Sequence, residues 1–263
     1  TDLGKVGALA VTARNTTFAL KGKALDVGET ARQLRVTHVL EGSVRKAGAR
    51  VRITAQLIDG TTGHHLWAER YDRDLNDIFA LQDEIARAIV DALKIKLMPG
   101  ESAGIGQRTT ENVEAYQYYL MGRQHALRLG RRNCLAARRH YQRAIEIDTG
   151  YARARAGLAL VEGWLLITGD ASADLAAVRQ EADRALALDP TIAEAHVADS
   201  MAHFHDRKFD LAIAACERAI ALNPDLFEAY LSLGSALRMA HKFDAASRAY
   251  RRAADLDRNS YVA

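Results

Sequence analysis

Pro190 and Pro224 stand 34 residues apart, and each closes a short helical phrase, Ala185-Leu-Ala-Leu-Asp-Pro190 and Ala219-Ile-Ala-Leu-Asn-Pro224. A further 34 residues on, the phrase returns as Ala253-Ala-Asp-Leu-Asp-Arg258, with Arg in place of Pro. The links Arg207-Lys-Phe-Asp210 and His241-Lys-Phe-Asp244 are near-copies at the same spacing. A fixed period in this range marks stacked helix-turn-helix units, none of which can bury its apolar face alone. Such a stack builds an extended surface rather than a reaction centre.

The 34-residue length resembles the tetratricopeptide repeat. In that register the positions reserved for small side chains fall on Ser200, Ala212 and Ala219, then on Gly234, Ala246 and Ala253. Larger residues at Tyr230, Leu233, Leu237, Phe243 and Tyr250 interleave at helical spacing. Two looser units precede these. One runs from about Asn112 to Thr149, with Gly122, Ala137, Tyr141 and Ala144 at matching positions and extra residues expected in its turn. The next runs from about Tyr151 to Pro190, with Gly157 and Ala185 and a longer turn around Thr168-Gly-Asp-Ala-Ser172. Ser260-Tyr-Val-Ala263 reads as the opening of a fifth unit, so the natural protein is expected to continue.

Upstream the period changes from helical to alternating. Val51, Ile53, Ala55 and Leu57 share one face of a half-buried strand. Residues 38–45 form its partner across the hairpin turn Lys46-Ala-Gly-Ala49, and His65-Leu-Trp-Ala-Glu-Arg-Tyr71 makes a third strand. Leu9-Ala-Val-Thr-Ala13 reads as another strand. Asp26-Val-Gly-Glu29 has capping-box spacing and opens a helix through about Leu34. Ile78, Leu81, Ile85, Ile89 and Leu93 define an amphipathic helix over residues 77–97, with Asp77 as its cap. Met98-Pro-Gly-Glu-Ser-Ala-Gly-Ile-Gly106 reads as a linker. The expected organisation is therefore an α+β domain over 1–98, a linker over 99–111, and about four helical pairs over 112–263.

The segments Arg14-Asn-Thr-Thr-Phe-Ala-Leu-Lys-Gly-Lys23, Val39-Leu-Glu-Gly-Ser-Val-Arg45, Val51-Arg-Ile-Thr-Ala-Gln-Leu-Ile-Asp59 and His65-Leu-Trp-Ala-Glu-Arg-Tyr-Asp72 together resemble one family. It is the TolB amino-terminal-like domain that precedes tetratricopeptide repeats in bacterial signalling proteins. The resemblance implies a mixed sheet, here incomplete at its start, followed by an all-α superhelix. It also implies an upstream effector: a class III adenylate or guanylate cyclase domain, or alternatively a winged-helix DNA-binding domain. A free-standing scaffold is the third reading. A sheet lacking its first strand would leave an open edge and favour self-association.

Catalytic motifs are absent from the sequence. Asp72, Asp74 and Asn76 imitate the first ligands of a calcium loop, but Asp77 stands where the turn needs Gly and Asp83 where a bidentate Glu is usual. His64 and His65 point to opposite sides of a strand, and His203 and His205 do not share a helix face. No phosphate loop or nucleophile elbow is present, and no cofactor is implied. Cys134 and Cys216 read as free thiols of a reducing, cytoplasmic compartment. Hydrophobic content of 49% with 26% charged residues excludes wholesale disorder, and no uncharged apolar run reaches the length that spans a bilayer.

Two surfaces are candidates for binding a protein or peptide. The first is a concave groove lined by Tyr119, Arg123, Ala154, Leu158, Glu194, Val197, Met201, Phe204, Glu228, Leu231, Ser235 and Arg238. The second is a basic patch, because residues 123–143 carry seven arginines and no acid: Arg123, Arg128, Arg131, Arg132, Arg138, Arg139 and Arg143. It reads either as a solvated helix face or as a docking patch for an acidic surface or phosphate backbone. Interleaved aromatics at Tyr116, Tyr118, Tyr119 and Tyr141 are too few for base stacking, which argues against nucleic acid.

Overall fold

The computed structural model describes residues 26–94, 109–128 and 130–256, together with Leu3, Leu9, Val11, Thr12 and Thr17. Most of the expected linker, most of the strand at 9–13 and the start of a fifth unit lie outside these residues. The chain divides into two compact units, Thr1–Arg108 and Thr109–Ala263.

In the first unit, helix α1 (Val27–Leu34) starts where the capping box puts it, with the Asp26 carboxylate accepting the Glu29 backbone N–H at 2.7 Å. Strands β1 (His38–Ala47), β2 (Arg50–Asp59) and β3 (His65–Asp74) form a meander in the order β1-β2-β3, with both pairings antiparallel. Gly48, with φ +59°, supplies the left-handed residue of the first hairpin turn. The expected sheet is mixed; among the described residues every strand pairing is antiparallel.

The alternating pattern of β2 does what its period requires. Val51, Ala55 and Leu57 are buried, and Ile53 is half-buried beside them. Tyr71 of β3 lies opposite Ile53, and Trp67 opposite Leu57, so both rings stand on the same face. Helix α2 (Ile78–Ala92) covers that face, with Leu81 packing against Val51 and Tyr71. Asp77 makes no capping bond. Asp74 caps instead, accepting the Asn76 N–H to start a 3-10 turn at Leu75–Asp77 that runs into α2. Helix α2 also ends sooner than the expected residue 97, at Ala92.

The second unit is an all-α stack of tetratricopeptide type. Its helices are α3 (Val113–Ala126), α4 (Arg131–Ile147), α5 (Ala152–Ile167), α6 (Leu175–Leu188), α7 (Ala193–His205), α8 (Phe209–Leu222), α9 (Phe227–Met239) and α10 (Phe243–Leu256). They pack as the hairpins α3–α4, α5–α6, α7–α8 and α9–α10, and each hairpin packs on the next. The long turn of the second pair occupies residues 168–174, as expected. The extra residues of the first pair lie mainly in α4, which has 17 residues against 14 in α8 and α10.

The recurring phrase that ends each pair has a local cause. Ala144, Ala185, Ala219 and Ala253 are each 0% exposed, because two helices meet there with no room for a larger side chain. After the first three of these helices, the side chains of Asp148, Asp189 and Asn223 accept the backbone N–H two residues on, from Gly150, Thr191 and Asp225. This is an Asx turn, which frees the chain from the helix and turns it towards the next pair. The near-copied links match in backbone as well. Arg207 and His241 both adopt positive φ, and the N–H groups of Lys208 and Lys242 reach back to the carbonyls of His203 and Leu237.

The small-residue register holds for Ser200, Ala212, Gly234 and Ala246, all of them buried. It needs one correction. A Cβ on Gly122 would stand 2.7 Å from the Tyr141 ring, and one on Gly157 would stand 2.6 Å from the same ring. Gly157 therefore faces the preceding pair, and Ala159 takes the within-pair position, packed with Ala182. Phe243, expected in the core, is 62% exposed.

Candidate protein-binding surfaces

The interior of the superhelix is more closed than an open groove. Ala154 and Val197 are 0% exposed and Met201 is 2% exposed, while Tyr119, Leu158 and Leu231 are each 7% exposed. These six side chains are core and are not presented to a ligand. Trp164 of α5 contributes to this closure. It packs both on the cluster around Ala193, Val197 and Met201 and on the cluster of Phe227, Leu231, Ala253 and Leu256 in the last pair. One indole thus ties the second pair to the third and fourth, a contact that no repeat pattern announces.

Phe204 also turns away from the groove, edge-on to Phe209 with ring centres 5.7 Å apart. It packs against the cluster that contains Ala212 and Leu237. Ser235 is engaged internally, donating to the Leu231 carbonyl and lying 3.1 Å from the Tyr250 hydroxyl. What remains of the expected lining is charged. Arg123 lies over the Tyr119 ring at 5.7 Å, and its pKa is raised by Tyr119 first and by Glu194 as well. Glu194 and Glu228 are half-buried, and Arg238 is exposed.

The seven arginines do not act as one patch. Arg123 belongs to the interior. Arg143 pairs with Glu146 at 2.9 Å and lies over the Tyr118 ring. Arg131 pairs with Asp170, whose side chain is 1% exposed. Arg138 donates to Glu162 at 2.6 Å and to the hydroxyl and carbonyl of Ser172. The long turn at 168–174 is thereby fastened to α4. Burial raises the Glu162 pKa, and the Arg138 guanidinium works against that rise. Arg128, Arg132 and Arg139 are exposed. Long-range ion pairs hidden in an arginine-rich stretch leave no sequence signal, because the carboxylates lie 24 and 39 residues away.

The groups that could carry chemistry have other work. Asp72 accepts from Arg50 and Arg52, both at 2.7 Å, and the two guanidiniums hold its pKa down to about 2. Cys134 and Cys216 are buried free thiols; burial pushes Cys216 up to about 12, which keeps it from serving as a thiolate nucleophile. Among the described residues no group of three His, Cys, Asp or Glu side chains is placed to hold a metal ion. Also among the described residues, no helix is long and apolar enough to cross a membrane.

No family model matches the chain. Among solved structures, it resembles a thermophilic TPR protein of Thermus thermophilus, at 16% identity and a TM-score of 0.45, covering 56% of this chain and 77% of that one. It also resembles pilF of Pseudomonas aeruginosa, at 21% identity and a TM-score of 0.42, covering 56% of this chain and 63% of that one. Among curated proteins, it is 52% identical over 161 residues to "Putative adenylate cyclase 3" of Rhizobium meliloti (strain 1021). That match covers 61% of this chain and 27% of the relative, so the chain spans about a quarter of the protein it resembles.

Proposed function

We propose that this chain is a non-catalytic, protein-binding regulatory module of an adenylate or guanylate cyclase-like signalling protein. The observation that carries the reading is the 52% identity to a putative adenylate cyclase over 161 residues. A stack of helical pairs with no catalytic group assembled among its described residues is consistent with it. The meander flanked by α1 and α2 is the part that would correspond to a TolB-like domain, and the helical pairs are the part that meets partners.

The test is cyclic-nucleotide synthesis by the natural full-length product, with and without the region corresponding to residues 1–263. Activity that changes severalfold on removal supports a regulatory arm. Full-length protein that folds and makes no cyclic nucleotide sinks the cyclase reading.

Self-association through β1 belongs to the same proposal. Leu40 and Val44 of this outer strand are 47% and 68% exposed, although they share a face with the buried Val51, Ala55 and Leu57. Light scattering should find a concentration-dependent dimer that Val44→Lys abolishes. A monomeric mass at every concentration refutes the idea.

A further inference from the structure

We propose that the outer face of α4 is a docking site for an acidic segment of a partner protein, a step that rests on the protein-binding reading above. Arg131, Arg132, Leu135, Arg138 and Arg139 line one open concavity of about 630 Å³. At 3.6 residues per turn these five positions fall within a sector of about 120°, along about 12 Å of helix. They form one continuous face.

The four guanidiniums of this face differ in how they are held. Arg138 is fixed by Glu162 and Ser172, and Arg131 by Asp170, with both carboxylates buried beneath the surface. Those acids orient two of the cations without shielding the other two. Arg132 and Arg139 are exposed and form no ion pair among the described residues. They stand seven residues apart on one helix, a separation of about 10 Å. Leu135, half-buried between them, offers an apolar floor.

This arrangement selects its occupant. Charges spread along a helix do not converge on a single phosphate, but they match carboxylates spaced along a peptide, with one apolar side chain seated on Leu135. Among the described residues of α3 and α4, a nucleic acid finds no exposed aromatic ring on which to stack a base. Tyr119 and Tyr141 are buried, and Tyr118 is engaged by His140 and Arg143.

The experiment is fluorescence anisotropy of the 263-residue chain with a labelled peptide of Glu and Asp residues flanking one Leu. The double variant Arg132→Glu/Arg139→Glu should weaken binding by about 100-fold, as the loss of two charge-assisted contacts implies. The control Arg218→Glu/Arg248→Glu makes the same change in net charge at exposed positions elsewhere and should leave affinity within about threefold. Raising salt should weaken the wild-type complex. Equal losses in the two double variants would reduce the effect to diffuse attraction and overturn the site. A single-stranded oligonucleotide that displaces the peptide more effectively than polyglutamate does would also overturn it. Circular dichroism checks the fold, and Arg132→Gln/Arg139→Gln replaces the reversal if that variant unfolds. Binding untouched by the variants, beside cyclic-nucleotide synthesis that still responds to deletion, removes this site and leaves the module reading standing. Binding lost in the variants, beside synthesis that ignores deletion, does the reverse.

Discussion

Replacing Leu231 with Arg is expected to unfold the last helical pair and lower stability by at least about 3 kcal/mol. From the sequence, Leu231 looks like a groove residue whose replacement would affect only a ligand. In the structure it packs with Phe227, Ala253 and Leu256, and Trp164 closes over that cluster. An arginine there must either bury an unpaired cation or push α9 away from α10. Repeat stacks unfold unit by unit when an end is weakened, so the first three pairs should persist. Far-UV circular dichroism and limited proteolysis would detect this as a partial loss of helix, with cleavage confined to the α9–α10 pair. A variant with the wild-type melting profile would return Leu231 to the surface.

The second large effect is expected at Arg138→Met, at about 3 kcal/mol near neutral pH, because Glu162 then stays buried without its partner. Its pH dependence identifies the cause. The Glu162 pKa is already raised by burial, and loss of the guanidinium removes the influence that opposes this rise. A carboxyl with a folded-state pKa above its unfolded one costs nothing where both states are protonated, and it destabilises progressively once the unfolded chain ionises. The deficit of the variant should therefore be largest at neutral pH and shrink as pH falls towards the usual Glu range. Urea unfolding at several pH values measures it. A deficit that does not change with pH would assign the loss to packing of the arginine stem alone.

What the sequence made legible was whatever repeats or alternates. The Ala positions ending each pair, the Asp26 cap and the inward face of β2 all follow from local spacing, and each lies where spacing puts it. The site was less legible. Trp164 contributes through contacts with the third and fourth pairs, and nothing periodic marks it. Arg131 and Arg138 look like members of a charge run until their buried partners in the next pair are seen. Asp77 occupies the N-cap position of α2 without a side-chain capping bond, because the chain enters the helix through a 3-10 turn whose own cap is Asp74. Burial also corrected the groove, because a first-helix position can face either the bore of the superhelix or the neighbouring helix, two or three residues apart in register.

The Tyr141 ring held between Gly122 and Gly157 bears on how such a chain can be rearranged genetically. One joint later, the same place is filled by Ala182 between Ala159 and Ala198. The first joint combines a large residue with two minimal ones, and the second uses three small residues of similar size. Either set fills the space, but a mixture does not. Recombination that exchanged whole pairs would set Tyr141 against Ala198, or Ala182 against Gly157, leaving a clash or a void. Duplications within this stack should therefore survive only when the three residues of a joint are inherited together. The unit of exchange is then a pair plus the start of the next helix, which is longer than the repeat period itself.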